Sequence, residues 1–303
     1  MNTPIRAGRT EVWMDTLVTI SLGLPIGEQP CWDEQLRRAF EWFAAVESAC
    51  SRFDPASEVN QLVEQVGEPV EVSPILAAAI RLALRIAEDT GGVFDPVVGG
   101  RLAAAGYDRH YRTGRRWRGG RTPATNATWR DVTIDDADLV TLAEPVLLDL
   151  GGLVKGLAID LASLEFAGCP GVLVNAGGDV YAAGIDVDGA LWRVGVADPL
   201  HPGQILGAFA VANLAVATSG CYARGPHLVD PRPVPTPKER RAVSVTVVAP
   251  SAAAADGLST AAAVLDVESA TDLLESVEDV AGVLVTPSGE RLSTVGFEEE
   301  WLQ

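Results

Sequence analysis

Leu148-Asp149-Leu150-Gly151-Gly152-Leu153-Val154-Lys155-Gly156 is the stretch from which the architecture is read. The apolar residues 145–150 stop at a glycine pair, and the chain passes straight into 153–166, where apolar residues recur at helical spacing. The pattern is that of strand, tight turn and helix. Such a turn leaves free backbone N–H groups at a helix start, beside the carboxylate of Asp149 and the ammonium of Lys155. That combination suits a phosphate-bearing ligand, with or without a metal; the alternative is a plain turn. Only two lysines occur, Lys155 and Lys238, in a chain that otherwise uses Arg. A compact, flexible charge is kept here against the local habit.

Composition narrows the function classes. With 303 residues and 48% hydrophobic content the chain can bury a large core, as one big domain or two fused lobes. A net charge of -18 disfavours a nucleic-acid or anionic-membrane surface, so a nucleotide would have to be held by local devices: a cation, a helix start or a metal. Cys31, Cys50, Cys169 and Cys221 share no close spacing, which argues against a zinc site or a disulfide framework and for reduced thiols in a cytoplasmic protein. Residues 1–10 lack an apolar signal region, and no window approaches the roughly 20 apolar residues of a membrane span, so no integral membrane segment is expected.

Outward from the central stretch, residues 12–22 alternate as a strand opening on Trp13-Met14-Asp15-Thr16, and 32–49 follow with helical periodicity. Residues 51–58 form a polar, proline-marked loop around Phe53, whose ring is either an anchor pinning the loop or a platform for a flat ligand. Ser73 caps a helix over 74–89 with Pro74 at its first position, and Gly91-Gly92 end it. The Arg- and Gly-rich segment 109–121 is expected to be a surface loop. Then come a hairpin over 132–142, a strand at 146–150, the helix already described, and strands at 172–174, 180–184, 192–196, 206–211 and 214–218. Residues 231–237 are too proline-rich for regular structure; a strand at 243–248 leads into a helix at 251–265. On that helix Asp256 and Thr260 stand four apart and share one face. Strands joined by short turns, with helices set apart from them, predict an α+β fold instead of a doubly wound sheet.

Taken in order, eight motifs resemble the FAD:protein FMN transferases, the ApbE family, from about residue 14 to the strand near residue 283. They are Met14-Asp15-Thr16, the 51–58 loop, Gly92-Val93-Phe94-Asp95-Pro96, Asp149-Leu150-Gly151-Gly152 with Lys155-Gly156, and Val174-Asn175-Ala176-Gly177-Gly178-Asp179. Ala217-Thr218-Ser219-Gly220, residues 227–232, and Ser244-Val245-Thr246-Val247 with Ala255-Asp256-Gly257-Leu258-Ser259-Thr260 complete them.

The resemblance implies a two-lobed, T-fold-like α+β architecture of mostly antiparallel sheets and packed helices, one domain over 1–303, with FAD in the groove between the lobes. It implies an Mg²⁺-dependent enzyme that cleaves FAD and attaches FMN to a Thr or Ser of an acceptor flavoprotein, releasing AMP. By the same resemblance Met14, Phe53, Ala103, Ala104, Ala105, Asp149, Lys155 and Val229 contact FAD, and Asp256, Thr260 and the carbonyl of Gly152 hold the metal. A hard dication does favour such oxygen ligands. Taken singly, Asp256 is equally a solvated helix carboxylate and Thr260 a hydroxyl bonded to its own helix.

Of three histidines, His110 lies in the Arg-rich segment and His201 beside a turn proline, so His227 is the best-placed proton acceptor for the Thr hydroxyl; the alternative is a plain surface histidine. His227 also matches the family's histidine ahead of an apolar pair and Asp-Pro. Two departures stand out: residues 221–226 are short, and Pro233-Val234-Pro235 replace a glycine usual after Asp-Pro-Arg. These bear on the acceptor groove, and they keep a second function open, an FAD-binding or FAD-hydrolysing relative with no protein acceptor. The lipoprotein signal of exported members is not seen, so a cytoplasmic acceptor, or one with a cytoplasmic face, is expected.

Overall fold

The computed structural model describes residues 7–23, 32–109, 114, 116, 121–220, 228–295 and 301–302. Every strand pairing among them is antiparallel, as expected for an α+β chain. The central element is an eight-stranded sheet in the order β1 (Ala7–Trp13), β2 (Thr16–Leu22), β6 (Gly171–Ala176), β7 (Asp179–Gly184), β10 (Leu214–Gly220), β11 (Ser244–Ala249), β12 (Ala281–Val285), β13 (Arg291–Ser293). A three-stranded sheet runs β14 (Trp301–Leu302), β9 (Ile205–Val211), β8 (Trp192–Ala197). Another joins β3 (Val70–Glu71), β5 (Leu139–Leu142) and β4 (Val132–Ile134).

Alternation decides what each face of the large sheet meets. On β11 all six residues are buried, so both faces are covered. Val245, Val247 and Ala249 join the main core with the helices, whereas Val248, together with Val180 and Val216, packs against Trp192, Val194 and Phe209 of the β8–β9 pair.

The helices are α1 (Asp33–Cys50), α2 (Glu58–Leu62), α3 (Pro74–Asp89), α4 (Gly99–Ala104), α5 (Val154–Leu164), α6 (Ala252–Ala262) and α7 (Val267–Glu275). Ser73 caps α3 as its sequence predicts, its hydroxyl accepting from Leu76 N–H. Helix α5 packs against α1 and α6, and α6 against β10 and β11. At Gly156 the two helices approach so closely that a Cβ would stand 2.3 Å from the carbonyl oxygen of Ala252. Asp160 of α5 then accepts from the Ala252 and Ala253 N–H groups at 2.7 and 3.0 Å, fixing the start of α6 against it.

Two elements differ from the sequence expectation. The single strand at 12–22 is a hairpin, broken at Met14 and Asp15, which both take positive φ (48° and 59°) in the manner of a type I′ turn. Residues 145–150 are extended but join no sheet. Their backbone bonds go to loops, Pro145 accepting from Ala124 N–H and Asp149 N–H donating to Pro96, which satisfies a buried segment without a ladder. The Arg-rich segment falls almost wholly outside the described residues. No helix among the described residues is long and apolar enough to cross a membrane.

Candidate functional site

Three groups of side chains collect around the start of α5. The first is built on Asp149, where the extended segment 145–150 ends. One carboxylate oxygen accepts from Gly151 N–H at 2.8 Å, closing the turn into the helix, and the other lies 2.6 Å from Nε of Arg52. Arg52 is 6% exposed; its guanidinium covers the Phe53 ring at 4.0 Å from the centroid and donates to the Tyr107 carbonyl at 2.8 Å. An ion pair between buried Arg52 and partly buried Asp149 therefore ties the 51–57 loop and the chain beyond α4 to the start of α5, with Phe53 half-buried under the arginine.

The second group centres on Lys155. Its ammonium lies 2.6 Å from Oδ2 of Asp179 and 2.7 Å from Oδ2 of Asp256. Asp179 and Asp256 are buried, and the Lys155 side chain is 15% exposed. Burial works against the charge on Lys155, but the two carboxylates outweigh it and hold the ammonium above its ordinary pKa. Burial pushes the Asp256 carboxyl up, and the neighbouring Asp179 pushes the same way against the pull of Lys155. One cation facing two carboxylates leaves the group with surplus negative charge, an arrangement that suits a further cation.

The third group surrounds Thr260, one turn beyond Asp256 on α6. A Cβ built on Gly152 would stand 3.1 Å from Thr260 Cγ2, 3.2 Å from Thr260 Oγ1 and 3.2 Å from Phe94. The bare backbone of Gly152 thus lies directly beside the Thr260 side chain. Ser219, at the end of β10, lies 2.9 Å from Ser259 Oγ and 3.3 Å from Thr260 Oγ1. A carboxylate, a hydroxyl and an adjacent backbone turn form an oxygen-rich set, and hard divalent cations bind such sets.

Of the other residues expected at the site, Met14 occupies the β1–β2 turn, its N–H 3.3 Å from a carboxylate oxygen of Glu47. Ala103 and Ala104 end α4 and Ala105 caps it, with Ala104 and Ala105 exposed. Arg101 of that helix donates to the Pro231 carbonyl, which joins α4 to the segment carrying Val229. That segment is pinned by buried Asp230. Its carboxylate accepts from Arg232 at 2.7 and 2.9 Å and from Thr236 N–H at 2.8 Å. Burial alone would raise the Asp230 carboxyl, but these bonds prevail and leave it below its ordinary value. His227 and His110 lie outside the described residues, and exposed His201 faces Asp198 at 3.0 Å.

Sequence reading passed over Asp179, Arg52, Ser219 and Ser259 as members of these groups. Asp179 follows Gly177-Gly178, two positive-φ residues at which the chain reverses, and a carboxylate held at such a turn was the available signal. Arg52 carried none, since its partner Asp149 is distant in sequence.

The ApbE family matches residues 14–284. The chain belongs to the ApbE family. Among its relatives, the FAD:protein FMN transferase of Haemophilus influenzae is 27% identical over 251 residues, 76% of this chain and 69% of that protein. That of Rhodobacter capsulatus is 30% identical over 247 residues, which is 75% of this chain but 46% of that protein, so this chain spans about half of its length. The crystal structure of the ApbE protein of Thermotoga maritima superposes with a TM-score of 0.82 at 25% identity, covering 99% of this chain and 100% of that one. The fold is therefore the ApbE fold, and all three residue groups lie within the matched span or on its motifs.

Proposed function

We propose that this ApbE-family chain is an FAD:protein FMN transferase, which moves the FMN half of FAD onto a Thr or Ser hydroxyl of an acceptor flavoprotein and releases AMP. Two observations support the reading: the Lys155 ammonium at buried Asp256, and Thr260, one turn further along α6, beside the Gly152 backbone. The residues fit Mg²⁺ by the chemistry of their donors: one carboxylate, one hydroxyl and one carbonyl, all hard oxygens, with room in a six-fold shell for phosphate oxygens and water. When bound, the ion neutralises charge on the pyrophosphate and on the leaving phosphate.

The chain's own residues divide the remaining work. Met14, Phe53, Ala103, Ala104, Ala105, Asp149 and Val229 line the FAD groove in this reading, with the Arg52–Asp149 ion pair holding the loop that carries Phe53. Lys155, spent on Asp179 and Asp256, serves first to hold Asp256 ionised and in place.

In the transfer step the acceptor hydroxyl oxygen bonds to the FMN-side phosphorus, and the bond from that phosphorus to the bridging oxygen breaks. AMP leaves with the electron pair, and the hydroxyl proton passes to neutral His227. The cytoplasm is the compartment of this reading, in keeping with the free thiols of Cys50 and Cys169.

Incubation with FAD, Mg²⁺ and an acceptor flavoprotein, followed by in-gel fluorescence and mass analysis, tests it. Covalent FMN on the acceptor is the expected result. FMN and AMP free in solution with an unmodified acceptor would instead identify a hydrolase.

A further inference from the structure

The hydroxyls of Ser259, Ser219 and Thr260 form a chain whose direction follows from counting protons. Ser259 Oγ lies 3.0 Å from the Asp256 carbonyl, and of those two atoms only the hydroxyl can donate. A serine has one hydroxyl proton, so in the 2.9 Å contact between Ser259 and Ser219 the donor is Ser219. That commits the Ser219 proton as well. In the 3.3 Å contact between Ser219 and Thr260 the donor is then Thr260. The proton of a helical Thr ordinarily goes to a carbonyl one turn back; here the Asp256 carbonyl already receives Ser259.

A neutral hydroxyl that ligates a cation must aim its proton elsewhere and keep a lone pair free. The chain of three hydroxyls does this for Thr260. Ser259 is fully buried, which holds its end of the chain away from competing water. Ser219 shares the helix-facing side of β10 with buried Ala215 and Ala217, so the sheet fixes its reach toward α6.

We propose that Ser219 is a positioning residue for the divalent cation: it accepts the Thr260 proton and so leaves the lone pairs of Thr260 Oγ1 for the ion. This rests on the reading that Asp256, Thr260 and Gly152 hold that ion. Residues that orient a metal ligand without touching the metal typically change affinity by roughly 10- to 100-fold, and two residues acting through one contact are not additive.

The test is Mn²⁺ affinity, read by electron paramagnetic resonance on wild type, Ser219→Ala, Thr260→Ala and the double variant, with melting temperature alongside. Ser219→Ala is expected to weaken Mn²⁺ by about 10-fold with little change in melting, and to have no further effect in the Thr260→Ala background. A weakened Thr260→Ala beside an unaltered Ser219→Ala overturns the role of Ser219 alone, as do additive losses. An unaltered Thr260→Ala overturns the metal reading and the proposal with it. Should Ser219→Ala fail to fold, Ser259→Ala tests the same chain from its far end. It frees the Ser219 proton to face Thr260 and is expected to weaken Mn²⁺ several-fold; unchanged affinity there overturns the proposal.

Discussion

The ammonium of Lys155 lies 2.7 Å from Oδ2 of buried Asp256 and shares its charge with buried Asp179 at 2.6 Å. The cation nearest the proposed metal ligand is thus a side chain of the protein, and removing it leaves two buried carboxylates facing each other. Lys155→Met is expected to lose roughly 3–5 kcal/mol of stability, the usual consequence of stripping one partner from a buried ion pair. Mg²⁺ should restore more of the melting temperature in the variant than it adds to wild type. Thermal denaturation with and without Mg²⁺ checks both; a variant that melts like wild type contradicts the arrangement.

Gly152→Ala would bring a Cβ to 3.1–3.2 Å of Thr260 and Phe94. Those neighbours have to shift by a few tenths of an ångström, which overpacking arguments put at about 1–3 kcal/mol. Thr260 is the neighbour that matters, so Mg²⁺ affinity should fall by roughly 10-fold or more. Isothermal titration of Mg²⁺ reads this directly, and unchanged affinity would remove Gly152 from the site.

Asp230 gives a pH dependence with a definite sign. Its carboxyl sits below its ordinary value in the folded protein, since the bonds from Arg232 and Thr236 outweigh burial. A depressed carboxylate contributes stability above its unfolded value and loses that contribution as pH falls through its folded value. Asp230→Asn should therefore be destabilised by about 1.5–3 kcal/mol at neutral pH. The gap from wild type should close as pH drops below the ordinary carboxylate range. Denaturant midpoints across pH test it, and a gap that does not change with pH argues against a charged role.

Most of the fold was legible because its signals are local. Ser73 and Pro74 announce α3, and the period of apolar residues announces α1, α5 and α6. The failures have physical causes. The β1–β2 turn places Met14 and Asp15 at positive φ, where Gly or Asn is the usual signal, so one strand was read in place of two. Residues 145–150 have the apolar pattern of a strand because they are buried, yet their bonds go to loops. At the site, the four-residue spacing of Asp256 and Thr260 showed their shared face. The salt bridge of Lys155 to Asp179 joins residues from separate elements, and no spacing rule exposes such a pairing.

His227→Ala separates chemistry from binding. If His227 takes the acceptor proton, the variant should keep FAD and Mg²⁺ affinity and lose transfer by roughly 10²- to 10⁴-fold. Wild-type rate should rise with pH through the titration of the histidine and then level, because only the neutral ring accepts a proton. FAD affinity and single-turnover transfer, measured on the same variant, distinguish this from a structural role; parallel losses in both contradict it.

The most direct test of the account is a single-turnover count of products. FAD, Mg²⁺ and an acceptor flavoprotein are mixed with wild type and with Asp256→Ala, and AMP released is compared with FMN bound covalently to the acceptor. The account predicts equal amounts of the two from wild type and neither from Asp256→Ala, where the charged oxygen that holds the dication is gone. AMP without covalent FMN, or full transfer by Asp256→Ala at ordinary Mg²⁺, would contradict it.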